Sequence, residues 1–278
     1  DSARTGLDVA EWMRGDLVDV VVVGGGFIPF ETPLHEFVAA AQGTKCLVYG
    51  CIEATRHIDQ EAIRALAARW LDHGAAGVYL YNFYTMSNEW NREIYQQISS
   101  AENLRGLNKR YELDTAGPLY PVGGHGAGFR YASPSTQLPV AIRPALDEGG
   151  PVFAMEVSDD LESAISNGSL DQCLITLRID QIDPGDKITV VVNGSVLDSK
   201  SGTDAVQGWS RLGCASKFWM SYPTYPQERI EEGFGIVFPV DAPPLFKGVN
   251  LIEVRFSPSE FSGIYPSLKN IEIDVVYK

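Results

Sequence analysis

The residues of this chain best able to do chemistry follow the ends of its apolar runs. Glu53 comes directly after the run at residues 46–52, where its carboxylate could transfer a proton or act as a nucleophile. Glu53 could equally pair with Arg56 or cap a loop, which would give it a structural role only. Other side chains near the ends of this run and of its two neighbours could contact the same ligand: Arg56, His57, Asn82, Tyr84, Trp90 and Glu31.

The elements that would position these residues are clearest between residues 45 and 84. Two short apolar runs flank an amphipathic segment in which Ile63, Leu66 and Trp70 recur at the helical period. The apolar runs are nearly continuous, as in parallel strands that helices cover on both faces. The stretch therefore predicts a βαβ unit, with strands at residues 46–52 and 77–83.

The pattern of the sequence divides the chain into three. Up to about residue 115, apolar strands alternate with helices, whereas residues 116–144 are rich in Gly, Pro and Ser and predict a linker. From residue 145 onward apolar residues alternate with polar ones, and Asn193-Gly194 is a strong hairpin signal. Six to eight short strands without a convincing helix predict a β-sandwich of the jelly-roll type.

Several segments of the first part resemble a known family. The segments "LVDVVVVGGG", "TPLHEFVAAAQGTKCLVYGCIE" and "LRGLNKRYELD" are similar to the C-terminal part of bacterial glycosyl-hydrolase-like (β/α)8-barrel proteins, which often carry a β-sandwich after the barrel. The resemblance implies an α/β plus all-β fold. Residues 1–115 would hold the last three βα units of a partial TIM barrel, and residues 145–278 a jelly-roll-like sandwich.

A three-stranded part of a barrel would have an exposed strand at each edge, and two arrangements could cover those edges. A barrel loses its edges only when it closes, so an upstream polypeptide or a second chain would have to supply the missing strands. The alternative is a self-sufficient small α/β domain whose strand edges are covered by the Gly-rich connection.

The resemblance also implies a function. The site of a (β/α)8 barrel lies at its strand ends, so Glu53 would be the nucleophile or the acid/base carboxylate of a glycoside hydrolase. Its partner carboxylate would lie in the missing N-terminal part, and this chain alone would be inactive. The neighbouring residues named above would bind the carbohydrate, with Trp90 either stacked on a sugar ring or packed in the core. Glu31 either joins them or favours the N-terminus of the helix that follows it.

A different class of function is open as well. The chain could be a non-catalytic carbohydrate-binding or protein-interaction module. Aromatic residues gathered within residues 209–225 would then form a carbohydrate platform, or they would pack the sandwich against the first domain. We expect no cofactor and no metal, since the four histidines lack metal-ligand spacing.

Composition narrows the partners. The net charge of −14 argues against nucleic acid and against anionic membranes, since either would require clustered Lys and Arg. No apolar run is long enough to span a bilayer, and the four cysteines form no C-x-x-C pair. We expect a soluble protein with neutral or cationic partners, and the composition leaves its compartment open, secreted and periplasmic locations included.

Overall fold

The protein combines one small parallel sheet with two larger antiparallel sheets. Strands account for 42% and helices for 23% of the residues that the structure describes. The parallel sheet and the antiparallel sheets each rest on a hydrophobic cluster of their own. A computed structural model describes residues 6–24, 32–53, 60–81, 88–114, 138–144, 149–204, 206–211, 231–260, 263 and 265–278.

The α/β part contains three parallel strands in the order β1-β2-β3, and the pairing of β2 with β3 confirms the predicted βαβ unit. Trp70 and Ile63 of its central helix are almost fully buried against the sheet, as the helical period predicted. The elements are α1 (Val9–Arg14), β1 (Val20–Gly24), α2 (Leu34–Ala41), β2 (Leu47–Glu53), α3 (Gln60–Asp72), β3 (Gly77–Tyr81) and α4 (Asn88–Gln97).

The antiparallel part contains a five-stranded sheet in the order β10-β8-β13-β6, with β9 paired to β8, and a six-stranded sheet in the order β11-β12-β7-β14-β4, with β5 paired to β14. Residues from both sheets share one core cluster. The elements are β4 (Lys109–Asp114), β5 (Val140–Ala141), β6 (Val152–Val157), α5 (Leu161–Ser166), β7 (Leu170–Asp180), β8 (Lys187–Val192), β9 (Ser195–Val196), β10 (Lys200–Ser201), β11 (Val206–Arg211), β12 (Glu231–Val240), β13 (Gly248–Ser257) and β14 (Ser267–Tyr277).

The predicted fold class, a partial TIM barrel with a jelly-roll-like sandwich, is wrong. Among the residues that the structure describes, most strands belong to antiparallel sheets, strands and helices do not go on alternating beyond α4 as they would in a (β/α)8 barrel, and the sheets are not closed. Within the described residues, only three strands run parallel, and they form an open sheet. The apolar pattern of a buried strand is local and does not show how many strands lie beside it in the sheet. The resemblance, which rests on such local patterns, therefore predicted a barrel where the sheet has three strands.

Two further features of the antiparallel part differ from expectation. Residues 109–114, assigned from sequence to the first domain, form β4 and pair with β14 of the six-stranded sheet. The antiparallel part also contains the short helix α5, where none was expected; Asp160 caps it by accepting a hydrogen bond from the backbone N–H of Ser163 at 3.1 Å.

The predicted hairpin at Asn193-Gly194 is confirmed. Asn193 and Gly194 have φ angles of 50° and 86°, and they connect the antiparallel strands β8 and β9. Two consecutive residues with positive φ are what a two-residue type I′ hairpin requires.

None of the described helices has the length and apolar character needed to cross a membrane.

Helix α3 joins the two parts by packing against β4 and β6. Arg69 donates a hydrogen bond to the backbone oxygen of Glu156 at 3.0 Å, and His73 Nε2 lies 2.8 Å from Glu156 Oε1. Nearer the rim of this junction, Lys247 and Asp72 form an ion pair at 2.7 Å. Polar contacts as well as apolar packing therefore hold the junction.

Replacing Glu156 with glutamine is expected to flatten the pH dependence of stability in acid. The hydrogen bond from His73 holds the pKa of Glu156 below its ordinary value, against the opposing effect of burial. Because the pKa is lower in the folded state than in the unfolded state, the carboxylate stabilises the fold above the unfolded-state pKa of about 4.3, and this contribution is lost as the pH falls through the lowered value. The pair is partly exposed, so we expect an effect of less than about 1 kcal/mol.

Urea unfolding of the wild type and of Glu156→Gln between about pH 7 and pH 3 measures this difference. Glu162→Gln is the matched control because Glu162 is an exposed carboxylate on α5. Parallel stability curves for the wild type and Glu156→Gln would contradict the assignment.

Candidate functional site

The candidate site is one face of the parallel sheet, which we call the open face. Along β2, positions 48, 50 and 52 point toward the helices: Val48 and Ile52 are buried there, and a side chain on Gly50 would collide with the ring of Trp70. Successive residues of a strand point to opposite sides. Positions 47, 49, 51 and 53 therefore belong to the open face.

Large side chains on the open face are exposed to solvent. Tyr79 is 48% exposed and Tyr81 is 46% exposed, although both lie within regular strand. Their exposure corrects the expectation that helices cover both faces of this sheet. The other large apolar side chains on the face that are about half exposed are Val20, Val22 and Leu47.

The strand register places tyrosines of β2 and β3 next to one another on the open face. Tyr79 is paired with Cys51, and Tyr81 is paired with Glu53. A Cβ at Gly77 would lie 2.7 Å from Tyr49 Cε1, so the ring of Tyr49 extends over the backbone of its neighbouring strand. The open face thus presents tyrosines beside the position that carries the candidate carboxylate.

This arrangement suits a ligand that is apolar on one side and hydrogen-bonding on the other. A tyrosine ring offers an apolar surface together with a phenolic hydroxyl at its tip. A phenolic hydroxyl can donate or accept a hydrogen bond, and a carboxylate at position 53 would accept from ligand hydroxyls. Pyranose rings have this combination of C–H faces and peripheral hydroxyls.

Only some of the predicted site residues lie within the described part of the chain. Glu53 is the last residue of β2, the central strand, and Trp90 lies in α4; nothing is described of either side chain. Trp209 of the predicted aromatic platform lies in β11, and the remaining members of that platform lie outside the described residues. The predicted site residues that also lie outside the described residues are Glu31, Arg56, His57, Asn82 and Tyr84.

Sequence reasoning missed Tyr79 and Tyr81. Both lie within the run GVYLY, which has no polar residue to mark an exposed face. The available signal was their spacing of two, which places both rings on one side of the strand. It would have pointed to a surface only if the opposite faces of the sheet had been considered separately.

Metal chemistry has no support among the described residues, where no group of three or more His, Cys, Asp or Glu side chains is placed to hold an ion. The side chains of Cys46, Cys51 and Cys173 are buried. No protein-family model matches the chain, and no curated protein matches it either. The geometry of the open face is therefore what indicates the function of this site.

Proposed function

We propose that the protein binds carbohydrate on the open face, with Tyr79 and Tyr81 as the stacking surface and Glu53 as a hydrogen-bond acceptor. The observation that carries the proposal is the half-exposed state of two tyrosines in regular strand, one of them paired in register with Glu53. Exposed aromatic rings on a rigid sheet bind with little loss of conformational entropy. A saccharide gains from both the ring faces and the hydroxyl tips.

The charge of the chain narrows the class of saccharide. With 36 acidic and 22 basic residues, the protein repels polyanions at neutral pH. The proposed ligand is therefore a neutral or cationic sugar chain rather than an acidic one.

A catalytic form of the proposal adds hydrolysis at Glu53. This residue ends the central strand of the parallel sheet, and ligands of open α/β sheets bind beyond the carboxyl ends of the strands. Glycoside hydrolysis requires two carboxylates on either side of the scissile bond. In this form, an upstream polypeptide or a second chain supplies the other carboxylate, and the present chain alone binds without turnover.

Alanine at Tyr79 or Tyr81 is expected to weaken carbohydrate binding about tenfold. An aromatic stacking contact contributes roughly 0.5–1.5 kcal/mol beyond the area it buries, and both terms are lost together. A glycan panel would first select the oligosaccharide that binds best, and titration calorimetry would then compare the variants. Tyr95→Ala is the matched control, because Tyr95 is 48% exposed but belongs to α4.

The proposal fails if no glycan binds, or if Tyr95→Ala weakens binding as much as the two open-face variants. Glu53→Gln separates the two forms of the proposal. If the protein only binds, this variant loses affinity, and no hydrolysis is detected in either protein. If it also hydrolyses, the variant abolishes turnover in the assembly that contains the second carboxylate, while the oligosaccharide still binds.

A further inference from the structure

The chain contains the tripeptide Asn-Gly-Ser twice, at residues 167–169 and 193–195. An asparagine followed by glycine is prone to lose its side-chain amide, because glycine has no side chain to hinder attack by its own backbone nitrogen. Since the two tripeptides are identical, a difference in their reactivity in the folded protein is expected to come from the fold.

The reaction needs no partner other than water. The backbone nitrogen of the glycine loses its proton and attacks Cγ of the asparagine. The new N–Cγ bond closes a five-membered succinimide ring, the Cγ–Nδ2 bond breaks, and the proton leaves with the amide nitrogen as ammonia. Water then opens the ring at one of its two carbonyl carbons, which gives aspartate or isoaspartate. The asparagine must therefore be free to turn its side chain toward the following nitrogen.

The side chain of Asn193 is held at both of its polar atoms. Its Nδ2 donates to the backbone oxygen of Pro244 at 2.8 Å and to Asn250 Oδ1 at 2.9 Å, and its Oδ1 accepts from the backbone N–H of Leu251 at 2.9 Å. Asn193 is also part of the hairpin between β8 and β9, and its own backbone N–H donates to the backbone oxygen of Leu251 at 2.9 Å. Ring closure at Asn193 would break all three side-chain hydrogen bonds.

Asn167 is held far less. It is exposed and caps the C-terminal end of α5, a helix of six residues. Its Oδ1 accepts from the backbone N–H of Ser169 at 2.9 Å, whereas no residue in the described part of the chain accepts a hydrogen bond from its Nδ2, the leaving group. The attacking nitrogen belongs to Gly168, whose N–H donates to the backbone oxygen of Ile165 at 3.0 Å. This bond lies in the last turn of a short helix, where fraying costs little free energy.

We propose that Asn167 is a site of spontaneous deamidation in the folded protein and that the fold protects Asn193. The new carboxylate at position 167 lies at the C-terminal end of α5, where the helix dipole disfavours a negative charge. Isoaspartate also lengthens the main chain by one carbon just before Gly168, whose backbone oxygen accepts from Lys278 Nζ at 3.0 Å. Deamidation therefore changes both the charge and the contacts of this turn. The inference is independent of the open face, with which it shares no residue.

The test follows both asparagines in one sample. The protein is incubated in mildly alkaline buffer, which favours loss of the glycine proton, and aliquots taken over time are digested with trypsin and analysed by mass spectrometry. Cleavage gives peptides 131–178 and 188–200, each of which contains a single asparagine. Replacement of the amide by a carboxylate in the folded protein is expected to be at least about tenfold faster at Asn167, because Asn193 must first give up three side-chain hydrogen bonds.

The same protein unfolded in guanidinium chloride is the control. Without the fold, the two identical tripeptides are expected to react at similar rates. Asn167→Gln is a second control, because the longer glutamine side chain forms a cyclic imide much more slowly. Conversion in peptide 131–178 should then stop, while the rate at Asn193 stays the same.

Three results would overturn the proposal. In the first, Asn193 reacts as fast as Asn167 in the folded protein. In the second, Asn167 stays intact in the folded protein over a time in which it reacts in the unfolded chain. In the third, the difference between the two asparagines persists in guanidinium chloride, which would assign it to the flanking sequence rather than to the fold.

Discussion

Replacing Asp159 with alanine is expected to lower the free energy of unfolding by about 3–5 kcal/mol, the range found when one partner of a buried ion pair is removed. Asp159 Oδ1 lies 2.7 Å from Lys109 Nζ, and the two side chains are 5% and 2% exposed. Asp159 also accepts hydrogen bonds from the hydroxyls of Tyr111 and Tyr277, each at 2.7 Å. Alanine would leave the buried ammonium of Lys109, the buried hydroxyl of Tyr111 and the partly buried hydroxyl of Tyr277 without this acceptor.

The position of this cluster explains why its loss should affect the whole molecule. Lys109 begins β4, the strand on which α3 packs, and Tyr277 ends β14, which pairs with β4. Burial, followed by the negative charge of Asp159, raises the pKa of Tyr111 and Tyr277, so both hydroxyls remain protonated donors. One carboxylate therefore fixes three donors where the α/β part meets the antiparallel part.

Urea unfolding at neutral pH measures the loss. Asp171→Ala is the matched control, because Asp171 is an exposed aspartate on β7, and its change should stay within about 0.5 kcal/mol. Asp159→Asn should fall between the wild type and Asp159→Ala. The tyrosines donate to different oxygens of Asp159, so the one amide oxygen can still accept from one of them, but the amide does not neutralise Lys109. A loss below about 1 kcal/mol in Asp159→Ala would show that water replaces the carboxylate without difficulty.

The features that sequence predicted correctly are those set by nearby residues. The helical period around Trp70 fixes the βαβ unit, and the tendency of Asn193-Gly194 to adopt positive φ fixes a hairpin. The fold class depends instead on distant pairings. Residues 109–114 follow α4 in the chain but pair with residues 270–275, and nothing in their local pattern indicates that partner.

The candidate site likewise combines a residue that the local sequence pattern predicts with residues that depend on packing between distant segments. Glu53 was predicted because it is a polar residue at the end of an apolar run, and it does end β2. Tyr79 and Tyr81 were missed because the exposure of a strand face depends on what packs against it, which a uniform apolar run does not reveal.

Replacing Trp70 with alanine is expected to cost about 3–5 kcal/mol, the usual loss for a buried tryptophan. Trp70 is 2% exposed and lies in the cluster beneath the parallel sheet. Its indole nitrogen has no hydrogen-bond partner, so packing accounts for its contribution. Urea unfolding measures the loss, and Leu17→Ala is the control because Leu17 is 72% exposed.

A companion substitution tests where the indole ring packs. Gly50 lies on β2 directly beneath the ring, and a Cβ there would lie 2.8 Å from Trp70 Cζ3, with other ring atoms closer still. Gly50→Ala alone should therefore destabilise the protein by about 1–3 kcal/mol through overpacking. In the Trp70→Ala background the added methyl group instead enters the space that the ring has left, so the same substitution should cost little or even stabilise. Additive losses in the double variant would show that the ring does not rest on Gly50.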